Sequence, residues 1–224
     1  PSRLFSVLRD CGALARILPE IDVLFGVPQP EKWHPEIDMG EHIMQVIDYA
    51  ALKNYSLPVR FAALTHDLGK GVTPRSLWPS HTGHEKNNVK LVKSLCERIR
   101  APKKSRDLSL LVARFHRNVH RIVELNPTAI VDMLLAVDAY RKPERFGEFI
   151  HACECDFHGR SGYIDKLYPQ ATWLREAFNA SNKIDCGAIA ASLARTISDP
   201  ACLSNSINTK IREARVAEIE DHLT

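Results

Sequence analysis

An all-helical fold is predicted for this chain by three features of its sequence. Apolar residues recur at steps of three and four in several separate windows, no stretch alternates strongly enough for a sheet, and turn-forming residues cluster between the windows. There is no internal repeat.

The elements follow in order. Leu4, Val7, Leu8 and Leu14 open an N-terminal helical region that ends near Pro19, and Pro28, Pro30 and Pro35 mark an irregular connection. From Asp38, the residues Met39, Ile43, Val46, Ile47 and Ala50 draw one helix face. Val59 to Leu68 form a short second helix ending at Gly69. The stretch GVTPRSLWPSHTG has too many turn formers to be an element and is expected to be a loop with an exposed middle. Thr82 and Glu85 have the spacing of a capping box ahead of a helix through Val89, Val92, Leu95 and Ile99. Helices are expected at 107–123, 127–140 and 144–159, and further amphipathic helices after Pro169, ending in the charged run IREARVAEIEDHL.

With 224 residues, the chain suits one domain of ordinary size or one with a smaller appendage. Its 45% apolar and 25% charged residues are those of a soluble globular protein, and no run approaches the roughly 18 apolar residues of a membrane span. Charges scattered through PSRLFSVLRDCGALARILPE interrupt the apolar segment that a signal peptide needs. The six cysteines show neither a CxxC pair nor regular spacing, so reduced thiols in the cytoplasm are expected. A net charge of +3 is compatible with a polyanionic partner but too small to establish one. The start at Pro1 suggests a piece of something longer.

The sharpest local signal is Thr65-His66-Asp67-Leu68-Gly69-Lys70, at the end of an apolar helix whose neighbours Phe61 to Leu64 direct it inward. Imidazole nitrogen and carboxylate oxygen are both good ligands for divalent metals, and adjacent helical positions diverge by about 100°, so the pair can embrace one ion from two sides. Gly69 would stop the helix and let Lys70 turn toward an anionic substrate. Further candidate ligands lie on helices or at their ends: His42 upstream, then His84, His116 and Asp156 downstream.

That order of His, His-Asp, His, His, Asp is the pattern of the HD superfamily. VLFGVPQPEKWHPE (23–36), RFAALTHDLGKG (60–71), HTGHE (81–85), KPERFGEFIHACECDFHGR (142–160) and YPQA (168–171) together make nearly the whole chain resemble the C-terminal region of the bacterial multifunctional CCA proteins. These are tRNA nucleotidyltransferases that carry an HD domain. The resemblance implies an all-α HD-domain bundle at 39–160, with helical neck or body residues at 1–38 and a helical body or tail at 161–224.

A lone His42 on an apolar face would more often be a core histidine, and its spacing to His66-Asp67 reverses that reading. Glu85 reads as a cap. His116 and His120, four apart on one face, could pair on a metal, with solvent or RNA the other reading of His120. The last ligand position lies between Asp138 and Asp156, and the resemblance favours Asp156, leaving Asp138 a structural or supporting role. Cys153 and Cys155 read as packing residues. Lys70 reads either as a solvated helix end or as a cation for a phosphate oxygen. The groups Lys103, Lys104 and Arg106, then Arg114, Arg117 and Arg121, then Arg141, Lys142 and Arg145 would track phosphates only if they shared a side.

His42, His66, Asp67 and Asp156 are expected to hold a first divalent metal ion, with His84 and His116 available for a second and Asp67 as the bridge. His66, Asp67 and Lys70 form the catalytic set. The resemblance further implies 2',3'-cyclic phosphodiesterase, 2'-nucleotidase and phosphatase activities, the last supported by nickel. It implies tRNA and phosphorylated or cyclic nucleotide ends as partners, a monomer or homodimer, and magnesium-dependent nucleotide addition in a longer protein. A tRNA-binding module with a structural HD site and an HD-type nucleotide hydrolase are the competing readings. The Gly-Ser segment and paired aspartates of a nucleotidyltransferase head are not in this sequence. The purified 224-residue chain is therefore expected not to extend a tRNA lacking its 3' end when given CTP, ATP and magnesium, as followed by label incorporation.

Overall fold

In the computed structural model, which describes residues 1–223, the chain is helical throughout. The described residues hold no strand beyond one isolated bridge between Pro28 and Asp38. None of their helices is long and apolar enough to cross a membrane. Contacts divide the chain into two compact units, Pro1–His120 with Glu144–Tyr168, and Arg121–Pro143 with Pro169–Thr224. These units follow contacts rather than chain order, so they do not coincide with the linear segments 1–38, 39–160 and 161–224.

The first unit opens with α1 (Ser2–Asp10), α2 (Leu14–Ile17) and α3 (Pro19–Asp22). Pro19 does not end the helical region but begins α3, where its missing N–H costs nothing. Leu4 and Val7 are exposed, and α1 turns Phe5 inward instead. Residues 28–38 return on themselves, because the Gln29 and Met39 amides donate to the Ile37 and Val27 carbonyls at 2.7 and 2.9 Å.

The α4 helix (Met39–Leu52) begins where Asp38 accepts the Glu41 amide at 3.0 Å, and it buries Met39, Ile43, Val46, Ile47 and Ala50 as their spacing predicts. Next comes α5 (Leu57–Thr65), three residues shorter at its end than expected. His66 caps it, and a 3-10 turn spans Leu68–Val72 with Gly69 inside it.

The loop at 73–83 is exposed in its middle, contains a short 3-10 turn at Arg75–Leu77, and is tied at its base by a Thr73–His81 side-chain contact. No capping box starts α6 (His84–Arg98). Its N-cap is Gly83 at φ 82°, Thr82 lies outside the helix, and Glu85 pairs with Arg117. The reason is local: the His81 carbonyl takes the His84 amide at 3.0 Å, which turns the backbone to present His84 rather than the Thr82 hydroxyl.

Two long helices complete this unit, α7 (Lys103–His120) and α9 (Pro143–His158). The α5 and α6 helices both pack on α7, and α4 packs on α5. A cluster from Phe5, Leu14, Ile21, Leu24, Met39 and Ile43 to Val92, Leu95 and Ala113 forms its core. Cys153 and Cys155 are buried free thiols, pushed above the ordinary cysteine value by burial, as packing residues should be.

The second unit holds α8 (Pro127–Ala136), α10 (Pro169–Ser181), α11 (Cys186–Ala194) and α12 (Pro200–Leu223). The expected helix at 127–140 ends early because Asp138 adopts a left-handed φ of 60°. Here α12 packs on α8, α10 and α11; Arg212 grips Asp132 at 2.7 and 2.8 Å, and Arg215 lies 3.4 Å from the centre of the Tyr140 ring.

Close backbone approach fixes the end of α9. A Cβ on Gly159 would fall 2.6 Å from the Val46 Cα and 2.8 Å from its amide nitrogen, whereas one on Gly147 would meet nothing within 4 Å. Gly159→Ala is expected to lower stability by about 1–3 kcal/mol through overpacking against α4. Gly147→Ala, in the middle of the same helix, is expected to raise it by roughly 0.5–1 kcal/mol. Urea melts of both variants give the comparison.

Candidate metal centre

Five helices each end at, or turn a residue toward, one buried polar pocket of the first unit. His42 comes from α4, His66 from the C-cap of α5, Asp67 from the residue after it, His84 from the first position of α6, His116 and His120 from α7, and Asp156 from α9. Apart from half-buried His120, all are at most 3% exposed.

Proton placement around this pocket follows from the ring contacts. The Nδ1 atoms of His66, His84 and His116 lie 2.8 Å from the carbonyls of Ala63, His81 and Val112. A carbonyl only accepts, so each Nδ1 carries the proton, and Nε2 of a neutral ring is then a bare lone pair. Those Nε2 atoms face carboxylates. His84 and His116 lie 3.0 and 3.3 Å from Asp67 Oδ1, and His66 lies 3.6 Å from Asp67 Oδ2 and 3.7 Å from Asp156 Oδ1 with no hydrogen-bond partner at all. His42 Nε2 lies 3.1 Å from the same Asp156 oxygen.

Lone pair facing lone pair is repulsive unless a cation stands between, and the donor set of imidazole nitrogen and carboxylate oxygen is one that divalent metals take. The ligating atoms of His42, His66 and Asp156 lie within 4.8 Å of one another, as do those of Asp67, His84 and His116. The residues present therefore fit a metal centre of one or two ions.

The electrostatics agree with that fit. Burial alone would raise the Asp67 carboxyl, but Lys70 and the surrounding histidines hold it well below the usual range; Asp156 is likewise held low against burial by His120, His66 and Arg160. Burial dominates at His66 and lowers it to about 4. His42 and His116 go the other way: burial opposes their charge, but Asp156 and Glu36 raise the first and Asp67 raises the second.

Supporting groups fix the pocket's outline. Lys70 is buried, with Nζ 2.6 Å from both Asp67 Oδ2 and Gln29 Oε1. It is not a solvated helix end, and the 3-10 turn aims it at Asp67. Gly69 is needed for close approach, since a Cβ there would sit 2.3 Å from the His84 carbonyl oxygen. The Asn88 amide group donates to the carbonyls of His66 and Ala113 and its oxygen accepts the Gly69 amide, joining α5, the turn, α6 and α7. Glu36 Oε1 lies 2.8 Å from His42 Nδ1, a close ion pair whose angle falls outside a hydrogen bond, and its Oε2 accepts the Ser161 amide.

The HD domain family matches residues 39–140. Over 223 residues, all of this chain, the sequence is 62% identical to the multifunctional CCA protein of Nitrosospira multiformis, covering 54% of that relative. It is 58% identical over 224 residues to the multifunctional CCA protein of Nitrosomonas eutropha, and 54% identical over 220 residues to that of Burkholderia multivorans. The chain is a homologue of the multifunctional CCA proteins. It spans about half the length of these relatives. No solved structure matches it.

This multifunctional CCA protein homologue brings the six residues expected as ligands from its sequence into two groups that could each hold an ion, His42, His66 and Asp156 in one and Asp67, His84 and His116 in the other. Asp138 lies in the second unit, where it pairs with Arg141 and Lys142. His120 does not simply face solvent: its Nε2 lies 2.5 Å from Asp156 Oδ2. Sequence reasoning missed Gln29, Glu36, Asn88 and His34, whose Nδ1 lies 3.1 Å from Glu36 Oε1; the 23–36 segment was visible as a family match, but its proline-broken pattern assigned no side chain inward. Several basic groups are paired locally, Arg106 with Asp107, Arg117 with Glu85 and Arg121 with Glu124.

His42 and His116 bind a metal only as neutral rings, and both are held above the ordinary imidazole value, so protons compete with an ion for them as pH falls. Affinity for a divalent metal is therefore expected to fall as pH is lowered. Calorimetric titration at several pH values measures it; an affinity unchanged by pH would contradict it.

Proposed function

We propose that this chain is a metal-dependent HD phosphohydrolase that opens 2',3'-cyclic phosphates and removes 2'- and other terminal phosphates, within a longer protein that adds and repairs the 3' CCA end of tRNA. The observation that carries this reading is Asp67, a buried carboxylate faced by the Nε2 atoms of His66, His84 and His116 from three directions. Residues 39–160 are read as the hydrolase, and 1–38 and 161–224 as the helical body and tail that support tRNA, in a cytoplasmic protein. The names of the relatives support the tRNA end as the setting.

His42, His66, Asp67 and Asp156 would hold one ion and His84 and His116 another, with Asp67 shared; nickel is the ion to test for phosphatase activity. A divalent ion there supplies the positive charge that activates water and polarises a phosphoryl group. Histidine rings locked by backbone carbonyls three or four residues earlier keep the ligand atoms in place as substrate enters. Asp67 and Gln29 occupy two of the three donors of Lys70, which leaves one N–H to stabilise a phosphoryl oxygen as negative charge builds on it. Water adds across one P–O bond of the cyclic ester, and its proton ends on the departing ribose oxygen.

Asp67→Ala and His66→Ala should each bring hydrolysis of 2',3'-cyclic AMP and of model phosphoesters down to the uncatalysed background and weaken metal binding. Affinity for tRNA, set by dispersed phosphate contacts, should change little. Melting curves establish that the variants are folded. If both folded variants hydrolyse at the parental rate, the hydrolase reading is wrong and a tRNA-binding module with a structural site replaces it.

A further inference from the structure

We propose that Tyr168 and His120 are positioning residues for Asp156: the tyrosine hydroxyl fixes the His120 ring, and the ring holds one carboxylate oxygen so that the other is presented to the ion. This rests on the metal-hydrolase reading above. It gives a role to the YPQA segment and to the second histidine of α7, neither of which that reading uses.

The bonds run in one line. Tyr168 Oη lies 2.8 Å from His120 Nδ1, and His120 Nε2 lies 2.5 Å from Asp156 Oδ2. A carboxylate accepts only, so the proton of the neutral ring sits on Nε2, Nδ1 is bare, and the Tyr168 O–H donates to it. This tautomer is opposite to that of His66, His84 and His116, whose protons sit on Nδ1. His120 therefore meets Asp156 as a donor, where those three rings meet carboxylates as bare nitrogens.

The two oxygens of Asp156 are thereby divided. Oδ2 is held by His120, and Oδ1 faces His42 Nε2 at 3.1 Å and His66 Nε2 at 3.7 Å, which is where the ligand atoms gather. Without a donor on Oδ2, rotation about the Cβ–Cγ bond could turn either oxygen inward. The tyrosine is aimed independently of its hydrogen bond, because its ring stacks on Phe157 at 4.5 Å between centroids and 22° between planes. Phe157 is the residue after Asp156 on α9, so the helix that carries the carboxylate also carries the platform that aims its support.

The test is cobalt(II) titration of the 224-residue chain followed by calorimetry and visible absorption. Tyr168→Phe keeps the ring stack and loses only the hydroxyl; it should weaken cobalt affinity about tenfold and shift the visible bands, as losses of such outer hydrogen bonds do. His120→Gln, whose amide N–H replaces the ring donor, should keep most of the affinity, while His120→Leu should lose at least as much as Tyr168→Phe. Adding Tyr168→Phe to His120→Gln should cost nothing further, since the hydroxyl acts only through the ring. A merely structural role would leave the Tyr168→Phe spectrum parental and make the losses additive, and either result overturns the proposal. A parent that binds no cobalt sinks the metal reading itself. Failure of the proposal alone is a parent and a Tyr168→Phe variant that bind cobalt equally. Nitrogen-15 NMR of the metal-free chain decides the tautomer without any ion: His120 should be protonated at Nε2, and protonation at Nδ1 alone would refute the proposal.

Discussion

Two carboxylates, Asp67 and Asp156, lie at 3% exposure in the middle of a helical unit, and the packing around them is arranged to make that tolerable. An isolated buried carboxylate would take up a proton or unfold its surroundings, because desolvation of a charge costs several kcal/mol even after relaxation. Here each is met from several helices at once. Asp67 has Lys70 on one oxygen and, facing the other, the Nε2 atoms of His84 and His116, between which a cation would stand; Asp156 has His120 on one oxygen and His42 on the other. Removing one partner leaves the rest of a charged cluster uncompensated, so the helices that carry these groups are bound into one arrangement by charge as well as by their apolar faces.

That demand explains where the regular structure stops. The α5 helix gives way at His66 and Asp67, and the following 3-10 turn lets Lys70 fold back to Asp67 three residues away. Gly69 admits the start of α6 within a distance that no side chain would allow, and Gly159 does the same for α4 at the end of α9. Asn88 then satisfies the His66 carbonyl and the Gly69 amide left without helical partners by the break. Breaking a helix in the interior is stable only because these side-chain bonds replace the missing backbone ones.

Much of this was legible in the sequence, and the reason differs from residue to residue. His42 follows Met39 by three on an apolar face, so periodicity alone turned it inward, and His66-Asp67 at the end of an inward helix demanded partners. The helix ends were less legible: the Thr82 and Glu85 spacing suits a cap, but the His81 carbonyl is committed to His84, which no spacing rule reveals. Gln29 and Glu36 lie in a loop with no period, brought inward by the pairing of Pro28 with Asp38. Asn88 lies four residues after His84 on the same helix face, but a buried amide and a solvated one read alike in a sequence. The place of His120 depended on Tyr168, 48 residues away.

The histidines of the pocket are oriented in two physically different ways. His66, His84 and His116 bond carbonyls three or four residues earlier in their own chain, so their tautomers are set by local backbone and arrive as soon as each helix or turn forms. His42 and His120 depend instead on side chains outside their own helices, Glu36 and Asp156 for the first and Asp156 and Tyr168 for the second, and are set only when the unit is packed. The locally fixed rings surround Asp67, and both of the globally fixed ones bear on Asp156. It follows that the Asp67 half of the pocket is the more robust to changes elsewhere in the fold. The Asp156 half reports on the packing of the 28–38 loop and of the segment through Tyr168, and substitutions in either should be felt there first.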